Sequence, residues 1–296
     1  MDRKDRMDAF GAVSLTGFAL FLAFNQIIIK FVNQGIQPVF FAGVRSAIAV
    51  LCLVLWMQFK GRPVQLQRRY AVPGILAGTA FAAEFLCLFT ALDLTTVTRT
   101  SIILYSMPVW LAVGAHFVLP GDHMTARKAV GLALAFAGVS WAILDRASGQ
   151  GQASLLGDLC ALLAAWSWAA ITLIARATRL REMRPEMQLF WQVLVSAPIL
   201  MLAALLFGPL LRDLAVIHLV GLAFQGIVVV AAGFMFWFWL LSLYPAGSVA
   251  SFSFLTPIFG VTLGWLILGE HVGLPLIGAA LLVAAGIILI NRPSKT

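Results

Sequence analysis

The chain has 296 residues, of which 61% are hydrophobic and 11% are charged. A soluble domain carries about a quarter charged residues, so a soluble fold of this composition would leave much of its surface apolar. The composition therefore excludes a soluble fold and predicts a membrane protein whose outer surface faces lipid. The net charge of +8 is typical of the Lys and Arg bias of cytoplasmic loops, and it does not indicate nucleic-acid binding.

Apolar segments follow one another along the chain, each close to the roughly 20 residues that a bilayer span requires. In hydrocarbon only helices and closed barrels satisfy the backbone, and these runs lack the alternation of barrel strands. The sequence predicts an all-α membrane protein with ten transmembrane helices. The eighth segment is the longest, and its internal glycines predict a kink or a tilt. The predicted segments are 9–31, 38–59, 70–92, 96–118, 126–144, 153–175, 186–207, 214–243, 246–268 and 274–291.

The two halves of the chain share an internal repeat. Gly138 corresponds to Gly286 at an offset of 148 residues, and Pro108 corresponds to Pro257 at an offset of 149. We predict a first five-helix unit over 1–145, a second over 153–291, and a tail over 292–296. Because five is odd, the second unit enters the membrane upside-down, and inverted repeats of this kind place a substrate site between the halves near the midplane.

The distribution of basic residues predicts the orientation. With the N-terminus in the cytoplasm, 15 Lys and Arg residues lie in cytoplasmic segments and three lie outside. This asymmetry predicts that both termini are cytoplasmic.

Charged residues within predicted spans are expensive unless they face protein or water. Arg45 and Glu84 lie about seven and eight residues from the outer ends of their segments, and hence at similar depth at about 1.5 Å per residue. We predict an intramembrane ion pair between them. Its interpretation stays open between a structural clamp and a site for a proton or for the amine or carboxylate of an amino acid. Arg99, nearer the outer surface, is expected to snorkel.

The first and sixth segments supply the central candidates for a substrate cavity. Asn25 corresponds to Ile171 in the repeat, so this polar side chain occurs in one half only. It is expected either to form a hydrogen bond between helices or to contact the substrate. Trp168 lies near the midplane and is interpreted as a cavity wall, whereas Trp237 also fits an interfacial belt. The predicted cavity residues are Phe21, Asn25, Glu84, Tyr105, Trp168, Trp237 and Phe254.

Prolines and glycines mark candidate bending points in the fourth and ninth segments. Pro108 and Pro257 free backbone carbonyls at matching places. Gly260 and Gly264 have the G-x-x-x-G spacing that permits close helix contact. We interpret these residues as gating points, with helix packing alone as the alternative. Glu270 and Asp122, in the short loops after these segments, predict helix-end capping.

The motifs resemble those of EamA-type carriers of the drug/metabolite transporter superfamily. LAFNQIIIK (22–30) is similar to the W-G-x-N-x-x-x-x-K signature of the first helix, and WAAITLIAR (168–176) to its counterpart in the sixth. LTPIFGVTLGWLILGE (255–270) resembles the P…L-G-E block of the ninth helix. The resemblance implies a ten-helix inner-membrane carrier that exports amino acids or other small metabolites, near the branch of aromatic-amino-acid exporters.

No pattern in the sequence indicates an enzyme. The chain has no nucleophile, zinc or phosphate-loop motif, and its three cysteines lie in apolar runs without metal-ligand spacing. We therefore expect no cofactor and no metal, a small-molecule substrate and the bilayer as partners, and an oligomeric state that the sequence leaves open. The predicted function is a secondary transporter that works by alternating access. The alternative is a carrier of a nucleoside, a sugar or a drug-like cation.

The predicted topology is testable with reporter fusions. A reporter joined after Thr296 should give a cytoplasmic signal, because the basic loops hold that side of the membrane. A reporter inserted in the loop at Gly149–Gly151 should give a periplasmic signal. The reverse pattern would refute the orientation.

Overall fold

The computed structural model describes residues 8–120, 124–145, 154–244 and 252–291. Over these residues the chain is helical, which confirms the predicted all-α membrane fold. Eight helical stretches are long and apolar enough to cross a bilayer, and two shorter apolar helices complete the ten spans. The helices are α1 (Ala9–Val32), α2 (Pro38–Phe59), α3 (Ala71–Leu94), α4 (Val97–Leu104), α5 (Met107–Val118), α6 (Ala126–Leu144), α7 (Leu155–Ala177), α8 (Pro185–Ala204), α9 (Val216–Ala223), α10 (Phe234–Leu243), α11 (Leu255–Leu268) and α12 (Leu274–Asn291).

The fourth span is two helices, because α4 ends before Tyr105 and α5 begins at Met107. Pro108 has no N–H to donate to the carbonyl of Leu104, and its ring would clash with that carbonyl in a continuous helix. The chain therefore leaves the helix at Tyr105 and Ser106 and re-enters it with Pro108 in the first turn of α5.

The eighth span contains the irregularity that its glycines predicted, in the form of a π-helical stretch, Phe224–Gly233, between α9 and α10. Gly226 lets this stretch approach α2 closely, since a Cβ atom there would lie 2.5 Å from Cγ2 of Ile48. Wider π turns of this kind often occur at functional sites. The predicted start of the ninth span, 246–251, lies outside the described residues.

The two halves interlock, because the most extensive helix contacts are α3 with α7, α6 with α12 and α2 with α8. The contact of α6 with α12 preserves the repeat symmetry. A Cβ on Gly138 would lie 2.7 Å from the carbonyl oxygen of Ala279, and a Cβ on Gly286 would lie 2.5 Å from that of Gly131. Both pairs of equivalent positions are 148 residues apart, so the same close contact is made twice, once from each half.

Arg99 is fully buried, and the prediction that it would snorkel to the surface is wrong. Its Nη2 donates to Oδ2 of Asp158 at 2.7 Å, and its Nε donates to both oxygens of that carboxylate at 3.1 and 3.2 Å. Further hydrogen bonds run to the carbonyl oxygens of Ala142 and Asp145 at the end of α6. The guanidinium stays inside because it closes a helix end there and pairs with a buried acid.

Glu270 caps a helix of the other half. Its carboxylate accepts from the backbone N–H groups of Val97 and Thr98, at 2.7 and 2.8 Å, and so satisfies the start of α4. Gly264 makes room for it, because a Cβ there would lie 2.6 Å from Oε2 of Glu270. The predicted capping role of Glu270 is confirmed, while Asp122 lies outside the described residues.

Two basic residues join helix ends and loops on the same side of the helix bundle. Lys30 Nζ donates to the carbonyl oxygens of Leu92 and Thr95, at 3.1 and 2.6 Å, where α3 ends. Arg212 forms a salt bridge with Asp93 at 2.7 Å. The hydrogen bonds to Asp93 raise the pKa of the Arg212 guanidinium above its ordinary value.

The Arg99–Asp158 pair yields a stability prediction. Asp158→Ala should lower the free energy of unfolding by about 3–5 kcal/mol, because it leaves a buried guanidinium that cannot shed its charge. Asp93→Ala breaks a pair that is partly open to solvent and should cost no more than about 1 kcal/mol. Thermal unfolding of the purified variants in detergent measures both.

Arg99→Met combined with Asp158→Leu should recover part of the loss, because no buried charge then remains. The recovery should be incomplete, since the carbonyls at the end of α6 also lose their donor. Equal destabilisation by Asp158→Ala and Asp93→Ala would contradict the assigned importance of the buried pair.

Candidate substrate site

The break in the fourth span places Tyr105 between the two halves. Its ring meets the indole of Trp168 on α7 edge to face, with ring centroids 5.7 Å apart. Its hydroxyl lies beside the side chains of Gln26 on α1 and Thr256 on α11. Tyr105 is buried, and Trp168 is half-buried. Two of the predicted cavity residues therefore meet, one from each half.

Adjacent amides on α1 make contacts in two directions. Gln26 Oε1 accepts from the hydroxyl of Ser101 on α4 at 2.9 Å. Asn25 Oδ1 accepts from Nε2 of Gln225 in the π-helical stretch. The side-chain oxygen of Asn25 therefore forms an interhelical hydrogen bond, which was one of the two roles expected for this residue.

Arg45 on α2 points into the protein and is 1% exposed. Its guanidinium lies over the ring of Phe85 on α3, with Cζ 3.8 Å from the ring centroid, and 5.0 Å from that of Phe89. Nε and Nη2 are enclosed without a hydrogen-bond partner in the described parts of the chain. A buried donor without an acceptor costs about 1–3 kcal/mol, and more when it is charged.

Glu84 lies on the same helix as Phe85 and is 6% exposed. It is close enough to Arg45 and to Tyr105 to interact electrostatically with both. The direct ion pair predicted between Arg45 and Glu84 is nevertheless not formed, and Glu84 makes no salt bridge or hydrogen bond with any described residue. Phe85 is the residue next to Glu84 on α3, and the guanidinium of Arg45 lies over its ring.

The remaining predicted cavity residues belong to other clusters. Phe21 meets Phe224 with centroids 6.1 Å apart, and Trp237 stacks on Phe18 at 5.2 Å, so both lie in an aromatic layer between α1 and the eighth span. Phe254 packs against an apolar core built from residues of α3, α4, α6, α7 and α12. Among the described residues, neither Trp237 nor Phe254 makes a ring contact with the Tyr105–Trp168 pair.

The predicted bending points lie at helix starts and at close contacts. Pro108 and Pro257 are in the first turns of α5 and α11. A Cβ on Gly260 would lie 2.1 Å from Oγ of Ser101, so α11 approaches α4 closely at this point. The contacts of Gly260 and Gly264 are those of a tight helix interface, and their part in gating stays a prediction.

Some polar residues of the site were not singled out from the sequence. Gln225 and Thr256 are single polar residues in apolar runs, and that isolation was the signal available for them. Their partners depend on helix rotation, which one sequence does not reveal. Within the described ranges, no three His, Cys, Asp or Glu side chains are arranged to hold a metal ion.

Comparison with known sequences finds a transporter family and several of its members. The profile of the EamA-like transporter family matches the chain twice, over residues 9–144 and 155–292. The chain is 25% identical over 284 residues to "Uncharacterized transporter YoaV" of Bacillus subtilis, covering 94% of each protein. It is 25% identical to a "Probable amino-acid metabolite efflux pump" of Escherichia coli, covering 96% of this chain and 93% of the relative.

A relative in Salmonella typhimurium has the same name and is 27% identical, covering 96% of this chain and 94% of its own length. A solved crystal structure is similar in fold, with a TM-score of 0.66 over 94% of this chain and 97% of the solved one. Its sequence is 18% identical, so this likeness concerns the fold alone.

Proposed function

Since the chain belongs to the EamA-like transporter family, we propose that it exports amino acids or closely related small metabolites through a cavity between its two halves. Membership makes it a multi-pass membrane transporter and not an enzyme, as the sequence predicted. The substrate class, the route and the direction are the proposed part. The relatives named as probable amino-acid metabolite efflux pumps support the substrate class.

One observation carries the proposal, namely a basic and an acidic side chain buried near each other without direct contact. Within the described ranges, Arg45 has two donor nitrogens without an acceptor, and Glu84 has no donor. Burying charges in this way is costly within a membrane. A zwitterion compensates both, because its carboxylate accepts from a guanidinium while its ammonium donates to a carboxylate. An amino acid has these two groups on one carbon atom.

The surrounding side chains suit the rest of such a substrate. Tyr105 and Trp168 offer aromatic surface for an apolar side chain, and an indole face also attracts an ammonium group. Gln26, Ser101 and Thr256 supply neutral hydrogen-bonding groups beside that surface. A placement near aromatic-amino-acid exporters fits this wall but stays a prediction.

The inverted arrangement supports alternating access as the mechanism. Repeats of opposite orientation have nearly equivalent packings, so exchanging them opens the cavity to the other side of the membrane. The helix breaks at Tyr105 and in the π-helical stretch lie beside the site, where the backbone is not held by regular α-helical hydrogen bonds. We propose that these two breaks absorb the movement.

The charges of the substrate distinguish this proposal from its alternatives. A zwitterion requires both Arg45 and Glu84, whereas a drug-like cation requires only the carboxylate. A neutral nucleoside or sugar requires neither charge. Counterflow in proteoliposomes with a panel of these solutes therefore tests the substrate class directly.

Glu84→Gln and Arg45→Met should each weaken amino-acid affinity roughly ten- to hundredfold, because each removes a charge-assisted hydrogen bond of about 1.5–3 kcal/mol. Glu84→Gln keeps the shape of the side chain, and Glu84 makes no bond with a described residue that could be lost. Because the neutral amide no longer attracts the buried guanidinium of Arg45, the variant's free energy of unfolding should fall by about 1–3 kcal/mol, which is less than in Asp158→Ala, where direct hydrogen bonds are lost as well. Transport is measured as counterflow per folded protein.

Asp213→Asn, at an exposed loop position, is the matched control and should transport like wild type. Unchanged amino-acid counterflow in both Glu84→Gln and Arg45→Met would place the site elsewhere. Loss in Glu84→Gln alone would favour a cationic substrate and overturn the zwitterion.

Trp168→Ala should weaken substrate affinity roughly two- to thirtyfold, because a cation–π contact contributes about 0.5–2 kcal/mol. Trp265→Ala is the control, since this tryptophan is 61% exposed on the outer face of α11. It should leave affinity unchanged. The measurement is the concentration dependence of counterflow, and equal effects in the two variants would remove Trp168 from the site.

A further inference from the structure

A cavity of about 410 Å³ lies at the opposite membrane face from Glu270 and Lys30, between the start of α3 and the end of α7. Three arginines, Arg69, Arg179 and Arg181, contribute to its wall together with one acidic residue, Glu182. The cavity lies on the side where the sequence places the cytoplasm. It is separate from the candidate substrate site, and nothing in the proposed function makes use of it.

The basic residues of this cavity have guanidinium groups available for an anion. In the described parts of the chain, none of the three forms a salt bridge, with Glu182 or with any other carboxylate. Arg69 is held in place, because its Nε donates to Gln67 at 2.9 Å and its guanidinium lies 4.5 Å from the ring centroid of Tyr70. Three guanidiniums against one carboxylate favour a phosphate group.

The cavity continues from charged to apolar along one face of α3. Val72 and Leu76 lie four residues apart on the same face of α3, and Arg69 lies in the 3₁₀ turn directly before this helix. Val72 is 68% exposed and Leu76 is 52% exposed, and both line the cavity. In a membrane protein such side chains contact acyl chains, so the cavity is basic at one end and open to lipid at the other.

We propose that this cavity binds an anionic glycerophospholipid of the adjacent leaflet. Its phosphate lies among Arg69, Arg179 and Arg181, and one acyl chain runs along Val72 and Leu76. A soluble anion would use the arginines and leave the apolar face without a ligand, whereas a phospholipid fills both. Basic pockets between helices on the cytoplasmic side suit anionic headgroups.

The bound lipid contacts both halves of the protein. Arg69 precedes α3 in the first half, and Arg179 and Arg181 follow α7 in the second half. The helices α3 and α7 form one of the most extensive contacts between the halves. A lipid at this position therefore joins the two units at the membrane surface.

Native mass spectrometry of the full chain in detergent, titrated with dioleoyl phosphatidylglycerol or dioleoyl phosphatidylcholine, tests the proposal. Wild type should bind the anionic lipid at least about tenfold more tightly than the zwitterionic one. Arg179→Ala combined with Arg181→Ala should lower the phosphatidylglycerol affinity roughly thirtyfold, by the usual contribution of two basic residues at a membrane surface. Arg69→Ala, from the other half, should lower it roughly fivefold.

The matched control is Lys60→Ala combined with Arg68→Ala, which removes the same charge from exposed positions of the adjacent loop. It should bind phosphatidylglycerol within twofold of wild type. Equal loss in the two double variants would overturn the site in favour of general surface charge. Displacement of the lipid by millimolar inorganic phosphate would also overturn it, because the arginines would then form a site for a free anion.

Discussion

A helix end that is buried in protein has no water to satisfy its first N–H groups or its last C=O groups. In this protein charged side chains from other helices satisfy them. Glu270 accepts from the start of α4, Lys30 donates to the end of α3, and Arg99 donates to the end of α6. Glu270 and Arg99 hold α4, the first part of the broken fourth span, and Lys30 holds the end of α3 directly before it. The candidate site depends on them, because Tyr105 lies where that span is interrupted.

The repeat is symmetric in packing and asymmetric in chemistry. Gly138 and Gly286 make the same close contact from opposite halves. The buried charges near the site, Arg45 and Glu84, both come from the first half, while the second half supplies Trp168 and neutral polar groups. Symmetric packing is what an exchange between two access states requires. Asymmetric chemistry is what the recognition of a substrate with distinct ends requires.

The Arg45–Glu84 pair shows that a sequence indicates the depth of a buried charged residue but not its direct contacts. Their depth was inferred from helix rise alone, and the two groups do lie close enough to interact. Direct contact depends on rotation about each helix axis, and Phe85 occupies the face of the guanidinium. The same limit applies to Arg99. Its depth in the sequence predicted snorkelling, but in the structure it pairs with Asp158.

The sequence by itself determined the membrane class, the number of spans and the inverted repeat, because hydropathy and repeat offsets are local or periodic properties of the chain. It also located the break near Pro108, since a missing N–H acts on the residues directly before it. Only the tertiary structure decided that Tyr105 meets Trp168, that Asn25 bonds Gln225 and that Glu270 caps α4. These contacts join residues far apart in sequence, and they are fixed by how helices rotate and approach one another when small residues allow close packing.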